Sequence, residues 1–218
     1  SVPKGGITAL LGGNGAGKTT TLKAISNLLR SERGEVTKGT IHYRGARVQD
    51  LSPSDLVKKG VIQVMEGRHC FEHLTVEENL MTGAYTRRDG RGAVDADLEL
   101  VYTYFPRLKE RRRSQAGYTS GGEQQMLTVG RSLMGNPDVL LLDEPSEGLA
   151  PIMIQKIDEL IQSLRKMGKT IVLAEQNLHF CLGLADRAVV IDKGKDVFCG
   201  TISELNANAE IKQRYLSV

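Results

Sequence analysis

The 218-residue sequence predicts an α/β fold: a mostly parallel β-sheet with helices on both faces and a small antiparallel β part. Two observations lead to this expectation. Apolar runs of strand length alternate with helical patterns, and a glycine-rich loop at 12–17 joins the first run to the first helix. Only helical patterns occur between 67 and 136. We therefore expect one domain over 1–218, with a core of 1–66 and 137–218 and an inserted helical subdomain at 67–136.

Boundary residues locate the individual elements. Ser52 and Pro53 are a cap and a first helical residue, and capping boxes start at Thr75, Ser120 and Thr201, each with Glu three residues later. The predicted strands are 7–11, 40–43, 61–65, 138–143, 170–174, 188–192 and 196–199, the last two forming a hairpin. The predicted helices are 18–29, 53–59, 76–85, 95–105, 121–134, 151–167 and 177–185, with a small helical piece after residue 201.

Composition narrows the class of protein. No apolar run is long enough to span a bilayer, and no apolar targeting core follows Ser1. A net charge of +3, with no Trp, gives no reason to expect a nucleic-acid partner. The three cysteines lack metal-ligand spacing and are typical of a reducing compartment. Because the glycine-rich loop comes so soon after Ser1, we expect an N-terminal strand segment to be missing from this chain.

The segment from Gly12 to Thr19 has the pattern Gly, four residues, Gly-Lys-Thr, which is typical of a phosphate-binding loop. Glycines let phosphate oxygens approach the backbone N–H groups, and the following helix N-terminus adds partial positive charge. We expect Lys18 to reach the β- and γ-phosphates and the Thr19 hydroxyl to ligate Mg²⁺. A simple glycine-rich turn is the weaker interpretation, since strand, loop and helix stand in the required order.

Two carboxylates follow the apolar run 139–142. Asp143 and Glu144 end a predicted strand, where open α/β sheets bind ligands. We expect Asp143 to hold Mg²⁺ through water and Glu144 to orient or deprotonate the attacking water. A solvated turn is the alternative, but the phosphate-binding loop favours the functional interpretation.

A further glycine pair follows Ser120, in Ser120-Gly121-Gly122-Glu123. The capping box predicts a helix start, and a helix N-terminus with adjacent glycines can also bind an anion, with the serine hydroxyl on a phosphate. A single helix bridges this segment and Asp143, so the chain does not easily fold it onto its own phosphate loop. A second subunit, facing head to tail, is expected to supply it.

Three ordered segments, 13–20, 120–125 and 140–146, resemble the ATPases of ATP-binding cassette (ABC) transporters, and the resemblance covers nearly the whole chain. It implies a P-loop NTPase (RecA-like) fold. Segments 64–68, 74–80, 146–151 and 174–177 are similar to the branched-chain amino-acid importer ATPases in particular. Importer ATPases for urea and short-chain amides are closely similar, so the solute stays open.

The resemblance implies roles for the matching positions. Ser120 and Gly122 would contact the γ-phosphate of ATP bound to the partner subunit, and 146–149 would cross the dimer interface. The implied catalytic residues are Glu144 and Gln176, and the implied metal ligands are Thr19, Asp143 and Glu66. The implied ATP-contacting residues are Gly12, Asn14, Gly15, Ala16, Gly17, Lys18, Thr19, Thr20, Glu66, Ser120, Gly121, Gly122 and Glu123. The family has an aromatic residue upstream of the first strand that stacks on adenine, and this chain starts too late to contain it. Either that segment is missing from this sequence, or adenine is held weakly.

Three positions depart from the family's usual residues. Glu66 stands where most members have Gln, Gln176 where they have His, and Thr119 where Leu is usual. Glu66 can still accept a hydrogen bond from a Mg²⁺-bound water and would link the nucleotide site to the helical subdomain. Gln63 is the alternative residue for this role, and Glu66 is preferred because it ends the strand. Gln176 can donate an N–H to phosphate but cannot titrate near neutrality.

The expected function is that of the ATP-binding and hydrolysing subunit of a membrane importer, for branched-chain or other amino acids. The implied partners are a second ABC ATPase subunit (identical or different), integral membrane permease subunits docked on the helical subdomain and, indirectly, a periplasmic binding protein. The implied cofactors are ATP and Mg²⁺, and the location is the inner face of the cell membrane, as a peripheral cytoplasmic subunit. The alternative is a soluble ABC-type ATPase acting on nucleic acid or ribosomes, although no second cassette, coiled coil or zinc module is seen.

Overall fold

A computed structural model describes residues 1–216 and confirms the predicted α/β fold. The strands are β1 Ile7–Leu11, β2 His42–Tyr43, β3 Ala46–Arg47, β4 Val61–Val64, β5 Val139–Asp143, β6 Thr170–Glu175, β7 Arg187–Asp192 and β8 Lys195–Thr201. The helices are α1 Lys18–Ile25, α2 Pro53–Lys58, α3 Val76–Thr82, α4 Arg91–Tyr104, α5 Pro106–Glu110, α6 Gly121–Leu133, α7 Pro151–Lys166, α8 Leu178–Leu182, α9 Ile202–Ala207 and α10 Ala209–Tyr215. Short 3-10 helices cover Leu28–Glu32 and Ala116–Tyr118.

The main sheet has six strands in the order β4-β5-β6-β1-β7-β8. All neighbours are parallel except β7 and β8, which form the predicted hairpin as an antiparallel edge. Strands β1 and β6 are buried along their whole length, which explains why their sequences are nearly continuous apolar runs. A separate two-stranded antiparallel sheet pairs β2 with β3.

Parallel pairing brings the carboxyl ends of β1, β4, β5 and β6 to one edge of the sheet. In the register, Leu11 lies opposite Glu175, and Asp143 lies opposite Ala174. The glycine-rich loop, the Asp143-Glu144 pair and Gln176 therefore all emerge at this edge, which is where ligands bind in open α/β sheets.

The helical insertion shares a hydrophobic core with the sheet. One cluster of buried side chains contains Leu80 of α3 and Phe105 beside α5, together with Ile7 of β1 and Leu142 of β5. A Cβ atom on Gly83 would lie 1.9 Å from the carbonyl oxygen of Arg131, so the end of α3 packs directly on α6. This continuity supports one domain with an inserted subdomain, and we keep the boundaries 67–136 as a proposal.

The three predicted capping boxes are present. In each box the cap hydroxyl oxygen accepts from the backbone N–H three residues on, and the Glu at that position accepts from the backbone N–H of the cap residue. The pairs are Thr75 with Glu78, Ser120 with Glu123, and Thr201 with Glu204. Each such cap stabilises its helix by about 1 kcal/mol. The starts of α3, α6 and α9 therefore follow from local sequence alone.

Several predicted boundaries were wrong, each for an identifiable reason. The helix predicted at 18–29 ends at Ile25, because Asn27 takes a left-handed φ of 60° and its side-chain amide donates to the carbonyls of Val48 and Leu51 at 2.7 and 2.9 Å. This long-range anchor is invisible to helical periodicity. The strand predicted at 40–43 shortens to two residues, the length that its partner β3 can pair.

In the helical insertion and after it, the observed helix ends differ from the predicted ones by a few residues. The helix predicted at 95–105 begins four residues earlier, at Arg91, and Pro106 begins α5 rather than only ending the helix before it, since proline suits a first helical position. The predicted helices 76–85 and 177–185 end early, at Thr82 and Leu182. No helix within the described residues has the length and apolar character to cross a bilayer.

Candidate ATP-binding and catalytic site

The glycine-rich loop between β1 and α1 is tight on one side and open on the other. A Cβ atom on Gly12 would lie 2.4 Å from the carbonyl oxygen of Ile191, which excludes a side chain there. Gly15 and Gly17 have φ angles of 76° and 110°, in the region that favours glycine. A Cβ atom added at Gly13 or Gly15 would meet no atom within 4 Å. The loop thus leaves space beside its backbone for phosphate oxygens.

Lys18 turns back into this loop. Its ammonium group donates to the carbonyl oxygens of Gly12 and Gly13 at 2.8 and 3.1 Å, and it lies 2.9 Å from Oε1 of Glu144. The side chains of Lys18 and Glu144 are only 4% and 11% exposed, so water screens their attraction weakly. The predicted phosphate ligand and the predicted base therefore form an ion pair.

Glu144 is fixed by its backbone as well as by Lys18. Its φ angle of 47° lies in the left-handed region, which is uncommon for a residue with a side chain. Its N–H donates to the carbonyl oxygen of Ala174 at 2.9 Å, so β6 holds this conformation in place. Such strained backbone is found preferentially at functional sites.

Asp143 is completely buried at the end of β5. The hydroxyl of Thr19 donates to its Oδ1 at 3.1 Å, whereas Oδ2 has no hydrogen-bond partner among the residues that the structure describes. The pKa of Asp143 is raised to about 6, mainly by burial and further by the charges of Glu66 and Glu144. The Thr19 hydrogen bond and the charge of Lys18 act in the opposite direction. An unpartnered carboxylate oxygen beside a hydroxyl and close to other carboxylates is an environment that a hard divalent cation would satisfy.

Mg²⁺ suits this environment because it does not require a cage made only of protein. Within residues 1–216, no group of three His, Cys, Asp or Glu side chains is arranged to hold a metal ion. Mg²⁺ is usually bound by one or two carboxylates together with substrate phosphates and waters. Thr19 and Asp143 supply a hydroxyl and a carboxylate below the phosphate-binding loop, and nucleotide would supply the remaining ligands.

Glu66 and its rival Gln63 lie in different surroundings. Gln63 lies within β4, where its Oε1 accepts from the Ser26 hydroxyl at 2.6 Å. Its buried Nε2 has no hydrogen-bond partner within residues 1–216. Glu66 follows β4, is exposed, and lies close enough to Asp143 to raise the pKa of that carboxyl group. The role expected of Glu66 stays a prediction, while the side-chain oxygen of Gln63 is already engaged by Ser26.

Gln176 follows β6 at the same edge of the sheet. Its side chain is exposed, and the next residue, Asn177, caps α8 by accepting from the N–H of Phe180 at 3.3 Å. The β5–β6 register brings Gln176 and Glu144 to neighbouring strand ends. The predicted base and the predicted phosphate sensor are thus positioned by adjacent strands.

The start of α6 is separate from the phosphate-binding loop. In the described part of the chain, no hydrogen bond or salt bridge joins 120–123 to 12–20. Ser120 caps the helix, and both oxygens of Glu123 are engaged, one by the Ser120 N–H at 2.7 Å and one by Nε of Arg107 at 3.0 Å. The carboxylate of Glu123 therefore stabilises the helix start, and its predicted contact with nucleotide stays a prediction.

Arg68, to which the sequence interpretation gave no role, lies on this helix start. A Cβ atom on Gly121 would lie 2.1 Å from Nη1 of Arg68, and one on Gly148 would lie 3.9 Å from Nη2. The segment after β4, the start of α6 and the turn after Glu144 therefore meet around one guanidinium group. Local sequence patterns could not reveal a contact between segments so far apart in the chain.

Glu175 was also missed, because the predicted strand ended at Ala174. It is the last residue of β6 and is only 2% exposed. Its carboxylate accepts from the N–H of Ser146 at 3.1 Å and, more weakly, from the N–H of Asn177 at 3.4 Å. Burial raises the pKa of Glu175 above its ordinary value. A carboxylate at the carboxyl end of an apolar strand was the available signal.

Comparison with known proteins assigns the family. The sequence profile described as ABC transporter matches residues 1–147, a span that includes the glycine-rich loop, α6 and the Asp143-Glu144 pair. This chain belongs to the ABC transporter family. It is an ATP-binding ATPase of that family, as the predicted resemblance implied.

Individual relatives match this chain over nearly its whole length. It is 45% identical over 216 residues to the high-affinity branched-chain amino acid transport ATP-binding protein BraG of Pseudomonas aeruginosa, covering 99% of this chain and 89% of that protein. It is 37% identical to the probable branched-chain amino acid transport ATP-binding protein LivF of Archaeoglobus fulgidus, covering 94% and 84%. A solved structure of an ATP binding subunit of an ABC transporter matches with a TM-score of 0.84 and 26% identity over 99% of this chain and 87% of that one. The predicted family and P-loop NTPase fold are thereby confirmed.

Proposed function

We propose that this chain is the ATP-hydrolysing subunit of a membrane importer for branched-chain amino acids, and that it works with Mg²⁺ and a second ATPase subunit. The observation that carries the proposal is the convergence of Lys18, Thr19, Asp143 and Glu144 at one edge of the sheet. The similarity to BraG, whose name specifies branched-chain amino acid transport, supports the choice of solute.

Each residue of the convergent group has a distinct proposed role. Lys18 neutralises the β- and γ-phosphates, Thr19 and Asp143 hold Mg²⁺, and Glu66 accepts from a metal-bound water. When bound, Mg²⁺ neutralises phosphate charge. Glu144 accepts a proton from the attacking water, and Gln176 donates an N–H to the γ-phosphate. The remaining proposed ATP contacts of this subunit are Gly12, Asn14, Gly15, Ala16, Gly17 and Thr20.

The γ-phosphate is proposed to receive its remaining donors from a second subunit. Ser120, Gly121 and Gly122 lie at the N-terminus of α6, a 13-residue helix, and within residues 1–216 they form no hydrogen bond with the phosphate-binding loop of their own chain. A head-to-tail dimer would bring this helix start to the ATP of the partner, where its partial positive charge complements phosphate. The partner is either a second copy or a different ABC ATPase subunit.

The chain is proposed to sit on the inner face of the membrane as a peripheral subunit. Its helical subdomain, 67–136, would dock on integral permease subunits, and a periplasmic binding protein would deliver the solute to those permeases. Charge does not favour a nucleic-acid partner, since the net charge is only +3. The solute itself does not contact this subunit, so the residues of this chain do not select it.

Reconstitution tests the proposal. The chain would be assembled with its permease subunits, second ATPase subunit and binding protein in proteoliposomes, and ATP-driven uptake of radiolabelled leucine and urea would be measured. We expect leucine uptake that is lost in the Glu144→Gln variant. Uptake of urea alone would contradict the proposed solute, and failure of the chain to associate with any permease would contradict the importer.

A further inference from the structure

The strongest feature that the proposed mechanism leaves unused is the buried carboxylate of Glu175. It is 2% exposed, and within the described residues it forms no salt bridge with Lys, Arg or His. Burying a carboxylate without a cation is costly unless hydrogen bonds compensate. A neutral residue would avoid that cost, so the position requires a specific reason for a carboxylate.

The two oxygens of this carboxylate accept from two different segments. Oε1 accepts from the N–H of Ser146, in the turn that follows Glu144, and Oε2 accepts from the N–H of Asn177, directly after Gln176. Both donors are backbone groups, so the contacts fix the chain path rather than a side-chain rotamer. One side chain thus joins the turn beside the proposed base to the segment that carries the proposed phosphate sensor.

The location of Glu175 explains why this link matters. In the register it lies opposite Leu11, the residue before the glycine-rich loop, and one position beyond Ala174, whose carbonyl oxygen accepts from the Glu144 N–H. Glu144 has a left-handed φ of 47°, which its surroundings must hold against relaxation. The Ala174 carbonyl fixes one end of the Glu144–Ser146 segment, and Glu175 fixes the other.

We propose that Glu175 is a positioning residue that holds Glu144 and Gln176 in their relative geometry for attack on the γ-phosphate. This inference rests on the proposed function, because it assigns Glu175 to the same ATPase site. It does not place Glu175 on substrate: its carboxylate makes no hydrogen bond with 12–20, so ATP binding is expected to be independent of it. A neutral amide cannot replace it fully, since the Gln nitrogen would face a second N–H donor.

The test uses Glu175→Gln and Glu175→Ala in the protein assembled with its second ATPase subunit. We expect ATP affinity to stay within about twofold of wild type while kcat falls about 10-fold in the Gln variant and up to about 100-fold in the Ala variant, as for a small misplacement of catalytic groups. Hydrogen exchange of the peptide 144–150 gives a second readout. The Ser146 amide should exchange faster in both variants, because its acceptor is weakened or removed.

The matched control is Asp158→Asn. Asp158 is a partly buried carboxylate on α7 that accepts from Gln162 at 2.8 Å, and it lies outside the site. This variant should leave kcat, ATP affinity and exchange at 144–150 unchanged. If Glu175→Ala does not fold, the near-isosteric Gln variant decides the question.

Three outcomes would overturn the inference: normal kcat in both Glu175 variants, unchanged exchange at Ser146, or loss of ATP binding in Glu175→Gln. The last would make Glu175 a support of the fold rather than of the catalytic geometry. Failure of the proposed function itself is distinguishable, because the reconstituted complex would then take up no leucine, while kcat and the Ser146 exchange test would still report on the Glu175 contact.

Discussion

The ammonium group of Lys18 lies 2.9 Å from a carboxylate oxygen of Glu144, with both side chains almost fully buried. The two residues therefore neutralise each other inside the phosphate-binding loop. The phosphates of ATP would compete with Glu144 for Lys18, so nucleotide binding would release the base next to the bond to be broken. The same ion pair would keep the proposed base, Glu144, engaged while no nucleotide is bound.

Removing one member of this pair should destabilise the nucleotide-free protein. Lys18→Met leaves the Glu144 carboxylate buried without its cation, and breaking a buried pair in this way typically costs about 3–5 kcal/mol. The double variant Lys18→Met with Glu144→Gln should recover most of that loss, because no unpaired charge remains. Urea unfolding of the single and double variants measures the coupling; strictly additive effects would contradict a direct interaction.

Glu144→Gln alone should separate binding from hydrolysis. The amide keeps the shape of the side chain but cannot accept a proton, so we expect a fall in kcat of at least about 100-fold with ATP affinity preserved or increased. Increased affinity is the specific expectation of the ion pair, since Lys18 would no longer have to leave a carboxylate. Calorimetric titration with ATP and a steady-state assay check the two parts, and wild-type turnover would remove Glu144 from its role.

Local sequence was sufficient where local chemistry decides the structure. The glycines at 12, 15 and 17, the capping pairs such as Ser120 with Glu123, and the carboxylates Asp143 and Glu144 at a strand end all have their predicted surroundings. These features depend on backbone conformation, helix ends and strand direction, each of which is encoded within a few residues.

What sequence reasoning missed depends on contacts between distant segments. Asn27 ends the first helix because its side-chain amide donates to the carbonyl oxygens of Val48 and Leu51. Arg68, which follows β4, packs against Gly121 at the start of α6. The pairing of Glu175 with Ser146 is of the same kind. The hydrogen bond that the Ser26 hydroxyl donates to Gln63 is a further contact of this kind.

Asp143 should make stability depend on pH in a defined direction. Its pKa is about 6 in the folded chain, raised mainly by burial from an ordinary value of 3.8. The folded state therefore holds the proton more tightly than the unfolded state. The stabilising contribution is complete below pH 3.8, is lost as the pH rises through about 6, and amounts to about 3 kcal/mol across that range.

Comparison with Asp143→Asn isolates this contribution, because the amide does not titrate. Without nucleotide and Mg²⁺, the difference in unfolding free energy between wild type and variant should shift in favour of the variant by up to about 3 kcal/mol between pH 4 and pH 8. Urea unfolding at several pH values gives the curve. A difference that does not change with pH would show that Asp143 has an ordinary pKa.

Gly122→Asp tests whether the start of α6 binds phosphate on a partner subunit. A Cβ atom at Gly122 would lie 3.4 Å from Cε of Met153, an ordinary contact, and a carboxylate at a helix N-terminus favours the helix. The variant should therefore fold and bind ATP at its own phosphate loop, yet its charge would repel a γ-phosphate presented by the partner. We expect ATP-driven association in the Glu144→Gln background to weaken at least about 10-fold.

Gly92→Asp is the matched control, because it places the same charge in the first turn of α4, where a Cβ atom meets nothing within 4 Å. It should leave association unchanged when both variants are compared by analytical ultracentrifugation with the second ATPase subunit. A mixing experiment decides between the two arrangements. When one subunit carries Lys18→Met and the other carries Gly122→Asp, the pair retains one composite site, made of an intact phosphate loop and an intact α6 from different chains. ATP should therefore still drive their association. If this pairing loses association while each variant still associates with an unmodified second subunit, α6 acts on the ATP of its own chain.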